Sequence, residues 1–166
     1  KQVAVDQTSL ETRKIMLHRY LEEVIMSLRP ELKRCPHSVW LDTVIDDTEI
    51  ETEPGALAQV VTNLVLNATI HAYPEDYEGT GTIMVAINSI PKAVQIVVSD
   101  DGSGIPKSNL GKIFDPFFTT RKGKGGTGLG LHIVHNIVTT QLGGKITCQS
   151  ELGEGTEFVI SLPYSV

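Results

Sequence analysis

An α/β fold with a single core is what this sequence predicts, and three observations predict it. Leu21, Val24, Ile25, Leu28 and Leu32 recur at helical spacing, with Glu22 and Glu23 on the wet side. Leu57, Val60, Val61, Leu64, Val65 and Ala68 form a broader apolar stripe on a second helix, which therefore packs on a sheet. Residues 82–88, where Ile83, Val85 and Ile87 share a face, and residues 94–99 read as the strands of an antiparallel hairpin, and residues 145–150 and 156–162 read as another.

Composition narrows the function classes. A chain of 166 residues, 40% hydrophobic and 20% charged, suffices for one domain that buries about 70% of its unfolded surface. The net charge of −6 argues against a nucleic-acid or anionic-membrane surface, which would need a broad basic patch. Positive charge is local, at Arg121, Lys122 and Lys124. Cys35 and Cys148 lie far apart without metal-ligand spacing, which suggests buried, reduced thiols and a cytoplasmic setting. No run is long enough to span a bilayer, no signal peptide is visible, and the chain starts at Lys1, so a piece of a longer protein is expected.

Taken in order, residues 1–12 are a polar connector, the stub of a preceding domain, and residues 14–17 a short edge strand. Pro30 kinks or ends the first helix. Residues 38–44 read as a strand, residues 46–53 as an acidic turn, and Pro54 as the opening of the second helix. Residues 73–81 form a loop, and Gly143-Gly144 ends a helix that carries Leu129, Ile133, Val134, Ile137 and Val138.

Three stretches carry chemistry. Gln59, Asn63, Asn67 and His71 fall four apart on the second helix. Asparagine is a mediocre helix former, so this stripe either caps neighbouring loops or offers oxygens to a hard ion such as Mg2+ beside phosphates. After the hairpin, Asp100-Asp101-Gly102-Ser103-Gly104 bends the chain sharply. It is an ordinary Asp-Gly turn or a carboxylate that accepts a hydrogen bond from the exocyclic amine of adenine. Residues 115–136, DPFFTTRKGKGGTGLGLHIVHN, join an aromatic cluster to a basic glycine loop and a helix. Such a loop is a flexible surface segment or a lid whose backbone and cations hold a polyphosphate at a helix N-terminus. Ile113, Phe114, Phe117 and Phe118 are expected to anchor it to the core.

These stretches together resemble the ATP-binding catalytic domain of sensor histidine kinases, within the gyrase, Hsp90, histidine kinase and MutL superfamily. Residues 63–68, NLVLNA, look like its N box, residues 100–104 its G1 box, residues 113–118 its F box, and residues 126–131, GTGLGL, its G2 box. The likeness covers residues 20–163. It implies a two-layer α/β sandwich with a mixed sheet of about five strands and helices on one face. It further implies residues 1–19 as a linker from a dimerisation and phosphoacceptor domain, with residues 20–166 as the catalytic domain.

By that likeness Asp100 receives the adenine amine, Asn67 coordinates Mg2+, and Asn63 lies beside the phosphates of ATP. Gly102, Gly104, Gly126, Gly128 and Gly130 shape the cleft with Thr127 and Leu129, and Thr156 sits near the adenine. Lys122 or Lys124 on the lid reaches the phosphates, so Asn63 and Lys124 carry the catalytic assignment. One departure stands out: relatives place Lys or Arg three residues beyond the second asparagine, where this chain has Ile70 followed by His71, and His71 or the lid lysines are expected to substitute.

The superfamily's hydrolases use glutamate where Asn63 stands, because hydrolysis needs a general base. An amide cannot serve as one. Transfer to a neutral imidazole needs it less, which favours a kinase. None of His18, His37, His71, His132 and His135 has the sequence context of the family's phosphoacceptor, so the acceptor is expected upstream in the parent homodimer, with a response regulator receiving the phosphoryl group. A clamp-type ATPase, a protein-serine kinase of the anti-sigma kind and a regulatory module that has lost nucleotide binding are the other readings.

Overall fold

The computed structural model describes residues 10–42, 47–119 and 130–165. Its elements are β1 (Arg13–Met16), α1 (Leu17–Ser27), α2 (Arg29–Leu32), β2 (Ser38–Leu41), β3 (Glu49–Thr52), α3 (Pro54–His71), β4 (Thr82–Ile90), β5 (Ala93–Asp100), α4 (Lys107–Leu110), α5 (Gly130–Asn136, continued by a π-helical turn, Ile137–Gln141), β6 (Lys145–Glu151) and β7 (Gly155–Leu162). Five strands form one mixed sheet in the order β2-β4-β5-β7-β6, parallel between β2 and β4 and antiparallel elsewhere. The expected mixed α/β architecture is what the chain adopts.

Alternation decides which face of the sheet is buried. Ile83, Val85 and Ile87 of β4, Val94, Ile96 and Val98 of β5, and Ile160 and Leu162 of β7 form one apolar surface. The helices contribute the facing surface through Leu21 and Val24 of α1, Leu57, Val61, Leu64 and Val65 of α3, and Val134 and Val138 around the end of α5. On the other face, Trp40 and its register partner Met84 stay exposed. Helix α3 is apolar over most of its circumference because it packs on the sheet and also touches α1 and α5. Leu64 of this helix is 1% exposed and belongs to the core. Leu64→Ala should cost about 3 kcal/mol, through lost transfer free energy and a residual cavity, and urea unfolding should show the loss with an unchanged m-value.

Two segments differ from expectation. The acidic turn at residues 46–53 is largely a strand: β3 pairs antiparallel with β1, Arg13 opposite Thr52 and Met16 opposite Glu49. Ile50 and Thr52, each 1% exposed, point inward while Glu49 faces water, so the sequence E-I-E-T is a half-buried alternation hidden among carboxylates. Upstream, Ile15 and Leu17 already belong to the core, ahead of residue 20. Leu17 opens α1 rather than closing the edge strand. Pro30 ends nothing by itself; α1 stops at Ser27 and Pro30 occupies the first turn of α2. Among the described residues, no helix is long and apolar enough to cross a membrane.

Candidate nucleotide-binding site

The site is built where α3, the end of β5 and the start of β7 meet. Asn63 and Asn67 lie half-buried on α3, and His71, its last residue, is exposed. Pro54 sits in the helix's first turn, and Ala72 closes it by donating its N–H to the Ala68 carbonyl at 3.1 Å. The Ala72 carbonyl, which no residue of α3 uses, accepts the N–H of Ser103 at 2.8 Å and the Ser103 hydroxyl at 3.2 Å. The turn after β5 is therefore strapped to the C-terminal end of the asparagine helix.

That strap requires glycine. A Cβ on Gly102 would stand 2.2 Å from the Ala72 carbonyl oxygen, and one on Gly104, whose φ is +77°, would stand 2.2 Å from the Glu151 carbonyl oxygen. The other side of the turn is held by the β6–β7 hairpin. Gly153 donates its N–H to the Ser103 carbonyl at 2.9 Å, and Ile105 donates its N–H to Ser150 Oγ at 2.7 Å.

Asp100 ends β5 opposite Thr156, the second residue of β7, which is 8% exposed. The Gly102 N–H donates to Asp100 Oδ1 at 2.9 Å. Burial pushes the Asp100 carboxyl above the usual carboxylate range, against the pull of the Gly102 and Thr156 N–H groups; the neighbouring Asp101 charge adds to the rise. A half-buried carboxylate that retains acceptor capacity, walled by a buried threonine, suits a neutral hydrogen-bond donor such as an aromatic amine. Cys148 lies close enough that burial and then the Asp100 charge push its thiol up to about 12. Both Cys35 and Cys148 are free thiols, half-buried rather than fully enclosed.

The second pole of the site is Asn67. Gly130, the first residue of α5, lies over it: a Cβ there would stand 3.3 Å from Asn67 Nδ2 and 3.6 Å from Oδ1. A side chain at residue 130 would crowd that amide. Among the described residues no group of three or more His, Cys, Asp or Glu side chains gathers as a metal centre. A single amide oxygen fits Mg2+, which keeps water and phosphate oxygens in most of its shell. From Asn67 to Ala72 the rise along α3 is about 7.5 Å, so one helix separates the amide from the base-side turn by a distance on the scale of a nucleotide.

Of the residues expected at the site, Asn63, Asn67, His71, Asp100, Gly102, Gly104, Gly130 and Thr156 are arranged around α3 and the two β-turns. Lys122, Lys124, Gly126, Thr127, Gly128 and Leu129 lie outside the described residues. The aromatic cluster anchors only in part. Ile113 is buried, and Phe114 meets Phe158 edge-on with ring centres 6.3 Å apart and His135 at 5.4 Å. The Phe114 carbonyl pairs with His132 Nδ1 at 3.2 Å. Phe117 departs from expectation: it is 71% exposed and holds φ +66° in a tight turn whose backbone aims the ring outward.

Three contributors escaped sequence reasoning. Gly155, with φ +110°, brings its backbone under the Asp100 carbonyl. Ser150 donates to the Gly155 carbonyl at 2.9 Å and lies 2.9 Å from Thr156 Oγ1, tying the hairpin to the turn. Asp101 accepts two bonds described below. The signal for Gly155 was the alternation Gly-Glu-Gly ahead of Thr156; nothing local marked Ser150.

Known proteins are similar to this chain in sequence and fold. Residues 52–166 match the family described as histidine kinase-, DNA gyrase B-, and HSP90-like ATPase. The sensor histidine kinase ZraS of Escherichia coli K12 is 43% identical over 118 residues, 71% of this chain and 24% of ZraS. The sensor kinase CckA of Brucella abortus is 41% identical over 129 residues, 69% of this chain and 13% of CckA. The chain thus spans a quarter or less of these relatives. Among solved structures, the catalytic domain of the histidine kinase ThkA superposes with a TM-score of 0.78 at 30% identity, covering 94% of this chain and 99% of that one.

Proposed function

Since the chain belongs to the family of histidine kinase-, DNA gyrase B-, and HSP90-like ATPases, we propose that it is the catalytic part of a sensor histidine kinase, binding ATP with Mg2+ and transferring the γ-phosphoryl group to a histidine outside these residues. The observation that carries the reading is the pairing of two poles on one helix: the base-side turn of Asp100, Gly102 and Thr156 at one end of α3, and the half-buried amide of Asn67 beside Gly130 farther up it. Asp100 would accept the adenine amine, Thr156 would wall the base, and Asn63 would face the phosphates. Asn67 would hold Mg2+, which neutralises phosphate charge during phosphoryl transfer.

Asn63 orients without accepting a proton, so water at that place is not activated and a docked imidazole has the advantage. Lys122 and Lys124 would add positive charge at the phosphates, whereas His71, the last residue of α3, stands at the base-side end of that helix. The attacking histidine would come from a dimerisation domain joined to this one ahead of β1, in a homodimer that passes the phosphoryl group to a response regulator on the cytoplasmic side.

Calorimetry with a non-hydrolysable ATP analogue tests the reading. Micromolar binding is expected in Mg2+, and Asn67→Ala should abolish the Mg2+ enhancement while leaving metal-free binding within about twofold, since only an ion ligand is removed. Failure of the folded domain to bind in either condition would leave a regulatory module as the better reading.

A further inference from the structure

Asp101 is turned away from Asp100 and does different work. Its Oδ1 accepts the Tyr73 hydroxyl at 2.7 Å and the Thr82 N–H at 2.8 Å. Tyr73 directly follows Ala72, the cap of α3, and Thr82 opens β4. One carboxylate oxygen thus ties the turn after β5 to the end of the asparagine helix and to the neighbouring strand. The Tyr73 ring is 6% exposed and stacks on His37 with ring centres 3.9 Å apart; Tyr77 meets it edge-on at 4.9 Å. His37 is fixed in turn, its Nδ1 accepting the Gly81 N–H at 2.9 Å. The hydroxyl that reaches Asp101 is therefore delivered by a packed aromatic group.

We infer that Asp101, through Tyr73, is a positioning residue for base selection: it sets where the neighbouring Asp100 carboxylate stands relative to α3, and so how strictly the site prefers a 6-amino purine to a 6-oxo purine. The inference rests on the reading of Asp100 as the base acceptor. An amine donates to that carboxylate, whereas the 6-carbonyl of guanine opposes it oxygen to oxygen, and this discrimination decays quickly with displacement because hydrogen bonds are short and directional. The strap from Ser103 to Ala72 fixes the far side of the turn, and Asp101 fixes the near side. Only with both does Asp100 have one position.

The test measures ATP and GTP affinities for the whole chain by calorimetry. Asp101→Ala should weaken ATP about tenfold and narrow the ATP-over-GTP preference by a similar factor, the loss expected for one or two acceptor bonds. Asp101→Asn keeps an acceptor oxygen and should stay within about twofold of wild type. Tyr73→Phe, which leaves the turn's own sequence intact, should narrow the preference about threefold. A general loss of folded protein would lower the number of binding sites in the titration and leave the ATP-over-GTP ratio in place. Equal losses for ATP and GTP, no change at all, or Asp101→Asn behaving like Asp101→Ala would each overturn the inference. If Asp100→Asn also leaves affinity and preference unchanged, the base-acceptor reading falls with it; if Asp100→Asn abolishes the preference while the Asp101 and Tyr73 variants keep it, only the positioning role falls.

Discussion

Asp100→Asn should make the ligand-free domain more stable and its ATP complex weaker. Burial raises the Asp100 carboxyl above its unfolded value, so folding favours the protonated form. The group's contribution to stability is then fully present below the unfolded pKa and lost as pH rises through the raised folded one. At neutral pH the ionised carboxylate is a liability that the amide removes, while the amide oxygen can still accept the Gly102 N–H. The melting temperature of the variant should exceed that of wild type at pH 7, and the gap should shrink on acidification. Toward ATP the change is adverse: loss of a charged acceptor should raise Kd about 10- to 100-fold. Thermal scans across pH and calorimetry check the two halves, and a variant less stable than wild type at pH 7 would contradict the first.

Gly155→Ala should be the most damaging small substitution near the site. The residue holds φ +110°, and a Cβ would stand 2.1 Å from the Asp100 carbonyl oxygen and 3.0 Å from the Asp101 Cα. Backbone strain and overlap with backbone atoms add, because neither atom belongs to a side chain that can swing away. A loss of about 3 kcal/mol or more is expected, with ATP affinity falling as the turn after β5 is displaced. Gly153→Ala separates the two effects. That glycine has φ +81° with nothing within 4 Å of its Cβ position, so only backbone strain of about 1 kcal/mol should appear. Urea unfolding of the pair decides; equal losses would mean that the contact with Asp100 contributes nothing.

How much was legible in the sequence follows from the range of the forces involved. Helix α3, the two hairpins and the Asp-x-Gly-x-Gly turn were readable because period and turn chemistry are local properties. The match of Asp100 to Thr156 was reachable only through resemblance, since 56 residues of register depend on how β5 and β7 pair. Strand β3 was hidden because its outward positions are acidic, which read as a turn although Ile50 and Thr52 carried the inward half of the pattern. The aromatic cluster misled by composition: four apolar residues in six positions imply one anchor, yet a positive φ at Phe117 points that ring away from the core while Ile113 and Phe114 stay inside. Ser150 and Tyr73 were unreadable because each acts on a partner brought near only by the finished fold.

The place of β7 has a consequence for how the protein comes into being. It is the last strand of the large sheet to be synthesised, yet it lies in the interior between β5 and β6 and supplies Gly155 and Thr156. A nascent chain emerging from the ribosome therefore exposes the bare edge of β5, including Asp100, until residue 162 has cleared the exit. Nucleotide cannot assist the earlier steps, because its base-side wall does not yet exist. Ligand stabilisation should act on the completed domain alone, and a message truncated within β6 should yield a chain that ATP fails to rescue from proteolysis.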